Sequence, residues 1–385
     1  MKFRLLRIGM GGGINSIKEK YGNIEIYQQD RFSDKFDLNI RFNPDGLKDQ
    51  EIKIGQRFYV YEIRKNNKVL HQIKYFIRLL KICKKYHINI IHSNTPFLYG
   101  LVPLIVSKLL RIPYCVSIHA DYEKCESLQN NIIPKVMGSK RIIELIEKFV
   151  YKNAARILPI RESMVPTLIK KGAPEDKIRI FPHGVNLTEF EENIEETVFK
   201  NKFNMPPDKK IISMVGRFEK VNYIYDYIKI AELLSEQRND WMIVMAGEGN
   251  EFTKVKNEVR DKKLDRFFLL TGFMTRDDVI ALRKISYVNL CLMAGFSLIE
   301  ACAAGRPVIS YDVEWHYELV KDNLTGYLLR EGNIRESAEK ISYLFDHPVI
   351  AAELGKNAKG LAYKKHSSEK VAAIKENIYQ ELLSR

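Results

Sequence analysis

Apolar residues in this chain come in short runs, with amphipathic stretches between them. Phe3 to Ile8, Ile88 to His92, Pro113 to Ile118, Ala155 to Ile160 and Lys177 to Phe181 read as strands, rich in β-branched and aromatic side chains. Leu98 to Leu110 reads as a buried helix, and Ser163 to Lys171 as a helix stopped by Gly172. Between Asn15 and Glu62 the pattern is less regular and orders no elements. A second series follows: Ile211 to Val215, Trp241 to Ala246, Phe267 to Thr271, Val288 to Leu292 and Pro307 to Tyr311 as strands. Helices lie between them, including Asp277 to Lys284, entered through Thr275-Arg276-Asp277-Asp278 in the manner of a capping box. Strands alternating with helices predict an α/β fold of parallel sheets with helices on both faces. The pattern is interrupted by Pro182-His183-Gly184-Val185-Asn186 and the acidic stretch Glu189 to Glu196, which places a hinge near 183–200.

One helix is unusually basic. Lys68 to His87 carries Val69, Ile73, Phe76, Ile77, Leu80 and Cys83 at helical spacing, with Lys74, Arg78, Lys81, Lys84 and Lys85 mostly off that stripe. A crossover helix with this stripe on a sheet is the plain reading. Its outer basic face also suits an anionic lipid surface.

The bulk numbers add to this. At 385 residues, two domains are expected. Mean hydropathy of -0.25 fits a globular chain. The net charge of +14 is uneven: residues 1–190 hold 33 Lys and Arg against 18 Asp and Glu, and residues 191–385 hold 29 against 30. The first half should therefore meet something anionic. The longest apolar run, Phe97 to Leu110, is broken by Lys108 and is too short to span a bilayer, and Met1 to Ile8 lacks a signal-peptide core. Five scattered cysteines without metal-type spacing suit free thiols in a reducing compartment.

The most telling chemistry lies in Ala294-Gly295-Phe296-Ser297-Leu298-Ile299-Glu300-Ala301-Cys302-Ala303-Ala304-Gly305-Arg306-Pro307. It reads as a turn, a short helix with small residues for close packing, a glycine stop and a proline. The free amides near Gly295 to Leu298 make a seat for an anion. Glu300 follows one turn later. Val215-Gly216-Arg217-Phe218 offers close backbone approach and a guanidinium fork for phosphate. Ala246-Gly247-Glu248-Gly249 and Thr271-Gly272-Phe273 are further strand-end turns.

Together these stretches resemble the signatures of retaining glycosyltransferases of the GT-B type, in the family 4 (glycosyl transferases group 1) class. The resemblance covers most of residues 86–330, while 14–70 matches poorly. It implies two Rossmann-like domains facing each other across a cleft: 1–187 binding the acceptor, 188–365 binding the nucleotide sugar, and a C-terminal helix, 366–385, crossing back to the first. It implies that Arg217, with Lys220, neutralises the departing nucleotide diphosphate, although the family's usual lysine position falls on Asn222. It puts Gly216, Gly247, Gly272, Gly295, Phe296, Ser297, Leu298 and Glu300 at the donor. His119, in Val116-Ser117-Ile118-His119-Ala120-Asp121, takes the role of the histidine facing the donor sugar. Gly12 and Gly13 in the glycine loop, Asn94 and Asp121 are the acceptor-side candidates.

Three departures stand out. The first glutamate of the family's pair would fall on Leu292. Trp315 and His316 occupy positions where many relatives have glycine. His183 replaces an asparagine at the interdomain segment.

The implied function is transfer of a sugar from a nucleotide-diphosphate sugar to a saccharide or lipid-linked acceptor, with no obligatory cofactor and no metal. The implied setting is cytoplasmic, peripheral at an anionic membrane face, with no nucleic acid partner. The alternatives are a catalytically silent scaffold relative and a nucleotide-sugar epimerase.

Overall fold

The computed structural model describes residues 2–9, 35–54, 56–65, 68–120, 122 and 139–384, with only the backbone at 54 and 68. Gly12, Gly13, Asp121 and Cys125 lie outside the described residues. The chain divides into two compact units, one of residues 1–183 with 371–385 and one of residues 184–370.

The first unit runs β1 (Phe3–Ile8), β2 (Phe36–Gly46), β3 (Gln50–Ile54), β4 (Phe58–Arg64), α1 (Lys68–Lys85), β5 (Ile90–Ser93), α2 (Leu98–Leu110), β6 (Tyr114–Ile118), α3 (Lys140–Asn153), β7 (Arg156–Pro159) and α4 (Val165–Lys170). Its strands form one sheet in the order β3-β4-β2-β1-β5-β6-β7. All pair in parallel except β3, which runs antiparallel to β4. Side chains alternate across the sheet, as a strand period of two requires. Leu6 and Ile8 join Tyr75, Leu79, Ile82, Val106, Val150 and Tyr151 in the core beneath α1, α2 and α3. Phe3 and Leu5 point the other way, toward Phe181, Ile378, Tyr379 and Leu382.

The second unit runs α5 (Glu196–Lys202), β8 (Lys210–Val215), α6 (Ile224–Gln237), β9 (Trp241–Ala246), α7 (Phe252–Asp261), β10 (Phe268–Gly272), α8 (Arg276–Ile285), β11 (Val288–Leu290), α9 (Phe296–Ala303), β12 (Val308–Tyr311), β13 (Gly326–Leu329), α10 (Ile334–Asp346) and α11 (Pro348–His366). The last helix, α12 (Ser368–Leu383), supplies Ile378, Tyr379 and Leu382 to the first unit's core. The second sheet is wholly parallel, in the order β10-β9-β8-β11-β12-β13. Thr275 caps α8 by accepting from the Asp278 amide at 3.2 Å. Helix α11 lies hard against the turn that ends α9: a Cβ on Gly355 would come 2.3 Å from the Gly305 carbonyl oxygen.

Two expectations need correction. Lys177 to Phe181 forms no strand. It runs alongside β7 through Arg179 N–H to Ile157 O (3.0 Å) and Phe181 N–H to Pro159 O (2.8 Å), and Pro182 has no N–H to continue the ladder. The face of α1 is also different. Tyr75, Leu79, Ile82 and Cys83 are buried, with His71, whereas Val69, Ile73 and Ile77 are exposed. The helix carries more apolar residues than one stripe can hold, and the stripe of Tyr75, Leu79, Ile82 and Cys83 takes the sheet.

Candidate functional site

In each sheet, successive strands are first added on one side and then on the other. In the second unit this reversal falls between β8 and β11, which are hydrogen-bonded neighbours. Open parallel sheets bind ligands outside the carboxyl ends of strands at such a point.

The loops at this end are interlocked. Gly216 N–H donates to Ala246 O (3.0 Å), Gly247 N–H to Gly272 O (2.8 Å) and Phe218 N–H to Glu248 O (2.9 Å). Gly247 has φ +137° and a Cβ there would sit 1.9 Å from the Gly216 oxygen, so these turns need glycine. Arg217 and Lys220 are exposed. Neither side chain forms a hydrogen bond or ion pair among the described residues. The Asn222 side-chain amide donates to the Arg217 carbonyl at 2.7 Å. Asn222, where the family resemblance would place lysine, thus ties down the turn that carries Arg217.

Helix α9 starts at Phe296 with no side chain capping it at Gly295. Its first amides therefore lack the side-chain acceptor that usually satisfies a helix start. Ser297 Oγ donates to Val215 O at 2.8 Å, pinning this first turn to the residue before Gly216-Arg217. The same hydroxyl accepts from Arg283 Nη2. Arg283 is fully buried, and its Nε lies 4.0 Å from Glu300 Oε2 with no hydrogen-bond partner. The other Glu300 oxygen accepts from Arg276 at 2.8 Å, and Arg276 also donates to Glu189 at 2.7 Å. Burial disfavours the Arg276 charge, but the two carboxylates more than offset this and hold its pKa above the ordinary value. Glu300 is thus an arginine-held carboxylate, joined through Arg283 and Ser297 to the end of β8.

Arg283 was not foreseen from the sequence. The available signal was its place three residues after Ile280, on the buried stripe of the helix.

Leu292 is buried in the core, so no group there reaches a ligand. Exposed carboxylates at this end of β12 are Asp312 and Glu314, the latter at φ +51°. Trp315 and His316 are buried. His316 Nδ1 lies 2.6 Å from Ser310 Oγ, and its Nε2 lies 3.1 Å from the Ala294 nitrogen and 3.0 Å from its oxygen. Both ring nitrogens are thus engaged, Nδ1 with the Ser310 hydroxyl, which also reaches Cys291 O at 2.8 Å, and Nε2 with the Ala294 backbone. His316 thereby fixes the loop entering α9. Gly295 and Phe296 are exposed, Ser297 is half-buried and Leu298 is buried.

In the first unit the reversal falls between β1 and β5. Asn94 N–H donates to Ile8 O at 2.9 Å, and a Cβ on Gly9 would meet Asn94 Nδ2 at 3.2 Å. His92 is buried, with Nδ1 2.7 Å from the Tyr379 hydroxyl and Nε2 2.5 Å from Ser117 Oγ. Burial first, then the charges of Arg7, His119 and Lys375, push its pKa well down. His119 ends β6 with its ring 5.4 Å from that of His183, and its buried Nε2 has no partner. Burial, with the charges of Lys375 and Arg7, lowers its pKa to about 4. Both rings are neutral near pH 7.

The four described cysteines, Cys83, Cys115, Cys291 and Cys302, are buried and unpaired. Among the described residues no three His, Cys, Asp or Glu side chains are placed to hold a metal ion.

Comparison with known proteins agrees with this layout. The profile of the family described as Glycosyl transferases group 1 matches residues 195–361, and that of Glycosyltransferase Family 4 matches residues 40–189. The chain is 30% identical over 170 residues to poly(ribitol-phosphate) α-N-acetylglucosaminyltransferase of Staphylococcus aureus, a match covering 42% of this chain and 34% of that one. It therefore spans about a third of that protein's length. It is 22% identical to α-monoglucosyldiacylglycerol synthase of Acholeplasma laidlawii over 84% of this chain and 82% of that one. Among solved structures, Anabaena HepE in complex with UDP superposes with a TM-score of 0.72 over the whole of both chains, at 15% identity. By sequence and by fold, then, this chain belongs to the group 1 glycosyltransferases of the GT-B type.

Proposed function

We propose that the chain transfers a sugar, with retention of anomeric configuration, from a nucleotide-diphosphate sugar to a saccharide or lipid-linked acceptor. The observation that carries this reading is the gathering of Arg217, Lys220 and the uncapped start of α9 around the carboxyl ends of β8 and β11. Two uncommitted cations and a positive helix end suit a diphosphate, whose negative charge grows as it leaves. The backbone turns at Gly216, Gly247 and Gly272 offer N–H and C=O groups to the nucleotide. Glu300, oriented by Arg276 and Arg283, accepts from a ribose hydroxyl. With Leu292 in the core, contacts to the sugar come from the 295–298 amides.

In the first unit, the unpaired Nε2 of His119 supplies one hydrogen bond from a neutral ring, and Asn94, at the end of β5, is the second acceptor-side candidate. The Staphylococcus and Acholeplasma relatives carry names of sugar transfer to a polyol phosphate polymer and of synthesis of a glucosylated diacylglycerol, which supports a polymer or lipid acceptor. The UDP in the Anabaena structure supports a nucleotide donor. No metal or other cofactor enters the proposal.

The test is a thermal-shift panel of UDP-, GDP- and ADP-sugars on the purified chain. Donor at a hundredfold over its Kd should stabilise the protein by about 2.7 kcal/mol. Arg217→Ala should remove that shift while leaving the ligand-free midpoint in place. An unchanged shift in this variant, or no shift with any donor, would sink the proposal. The anomeric signal of the product in NMR decides retention.

A further inference from the structure

Three helices of the first unit, α1, α2 and α3, form one layer on the same face of its sheet, with α2 touching both neighbours. The sheet-facing side of each is packed. The opposite side is unusually apolar for a surface. Val69 (69% exposed) and Leu70 (65%) stand out from α1 with Ile73 and Ile77, Leu109 (61%) from α2 with Ile105, and Leu145 (68%) from α3 with Phe149. On α3 the stripe alternates: Arg141, Leu145, Lys148 and Phe149, Lys152. On α2 Lys108 lies between Ile105 and Leu109, and on α1 Lys81 and Lys84 extend the row from Ile73 and Ile77.

The charge of this layer is one-sided. The three helices hold eleven Lys and Arg against two Glu, of which Glu147 is buried on Lys171 and Tyr151. Lys81, Lys84, Lys108, Arg141, Lys148 and Lys152 form no ion pair among the described residues.

Aliphatic side chains ringed by uncommitted lysines match one occupant, a bilayer surface. The apolar tips enter the boundary between headgroups and acyl chains, and the ammonium groups meet lipid phosphates. A second copy of the chain fits poorly, because a two-fold contact would set lysines against lysines, and on the three helices only Glu144 is an exposed carboxylate to answer them. Nucleic acid would call for aromatic platforms or hydrogen-bonding side chains rather than Val, Leu and Ile. No helix among the described residues is long and apolar enough to cross a membrane, so the contact is one of lying on the surface.

We infer that the outer face of α1, α2 and α3 docks the protein onto an anionic lipid bilayer, with Val69, Leu70, Ile73, Ile77, Leu109, Leu145 and Phe149 inserted and the intervening lysines on the phosphates. This inference stands apart from the donor reading, since none of these residues belongs to that site.

The test is flotation of the full chain with vesicles of pure phosphatidylcholine and of phosphatidylcholine with 30% phosphatidylglycerol, a mixture chosen as roughly the anionic content that gives a strong surface potential. The chain should bind the anionic vesicles at least tenfold more than the neutral ones, and less at high salt. The double variants Ile73→Glu/Ile77→Glu and Lys81→Glu/Lys84→Glu should each lose that binding by tenfold or more. All four positions are solvent-facing, so the unfolding midpoint and the donor-induced thermal shift should not move. Absence of binding to anionic vesicles overturns the inference. So does loss in the lysine variant alone, which would mean adsorption without insertion. So does a dimer in light scattering that the Ile73→Glu/Ile77→Glu variant abolishes while vesicle binding persists.

Discussion

The reversal points of the two sheets are built from the same strand geometry and prepared for opposite electrostatic tasks. In the second unit, Arg217 and Lys220 remain exposed and uncommitted, and a buried arginine stands behind the start of α9. In the first unit the prominent groups are imidazoles. They are held neutral by burial and by the nearby charges of Arg7 and Lys375. One end is charged before any ligand arrives. The other offers hydrogen bonds without charge. A diphosphate suits the first and a neutral hydroxyl the second, so the division of labour is written in the local dielectric as much as in residue type.

The largest way to break the second end is steric. Gly247→Ala would drive a methyl into the Gly216 carbonyl, and it should cost about 3 kcal/mol or more in chemical denaturation. Gly216→Ala is the control: its Cβ would meet only Met214 Cε at 3.5 Å, so the cost should stay below about 1 kcal/mol. Equal stability in the two variants would mean the turns do not cross as described.

A smaller effect is expected from Arg283→Met, which keeps the volume and removes the hydrogen bond to Ser297 and the ion pair with Glu300. It should destabilise by about 2 kcal/mol and raise the KM for donor more than it lowers kcat. Arg276→Gln, at a half-exposed pair, should cost under about 1 kcal/mol. If Arg276→Gln proves the costlier change, Glu300 is oriented from outside and not from the core.

An effect of similar modest size sharpens the contrast through pH. His119 has a pKa of about 4 in the fold against an ordinary 6.5. The unfolded chain therefore takes up the proton first, and stability falls as the pH drops from 6.5 toward 4. For this partly exposed ring the loss should be about 1 kcal/mol at pH 5, and His119→Gln should remove it. Asp240 in the second unit behaves oppositely. Arg238, foremost, and Lys210 hold its pKa below the ordinary 3.8, so its contribution is lost only in stronger acid. Acid between pH 7 and 5 should thus weaken the first unit first, visible as separate transitions in calorimetry. A pH-independent first transition would contradict the neutral assignment.

Much of the fold was legible because buried parallel strands are short, apolar and bounded by turn residues. β8 to β12 fell within a residue or two of their expected places. β2, β3 and β4 were not ordered from sequence. Their Arg41, Asn43, Glu62 and Arg64 interrupt the apolar signal, and the buried Asn43 and Glu62 bond to each other at 3.0 Å, with Gln50 also donating to Glu62 and the Asp45 amide to Asn43. The orientation of α1 was misjudged for a related reason. Periodicity reports that an apolar face exists, and on a helix with two such faces it cannot say which one the sheet takes. At the site, glycines and cations were readable as residue types in strand-end turns. The partners that orient them, Arg283 and Asn222, act through tertiary contacts that no local pattern carries.

Helix α9 is held unevenly. Its far end is clamped, since Gly355 leaves no room for even a methyl group beside Gly305. At its near end, a Cβ on Gly295 would meet nothing within 4 Å. The first turn is held instead by polar bonds, Ser297 to Val215 and Arg283, with His316 on Ala294 just before it, so one end of this eight-residue rod is fixed by close packing and the other by hydrogen bonds. Drift in the two clamping glycines would have to be concerted, whereas position 295 has room for a side chain.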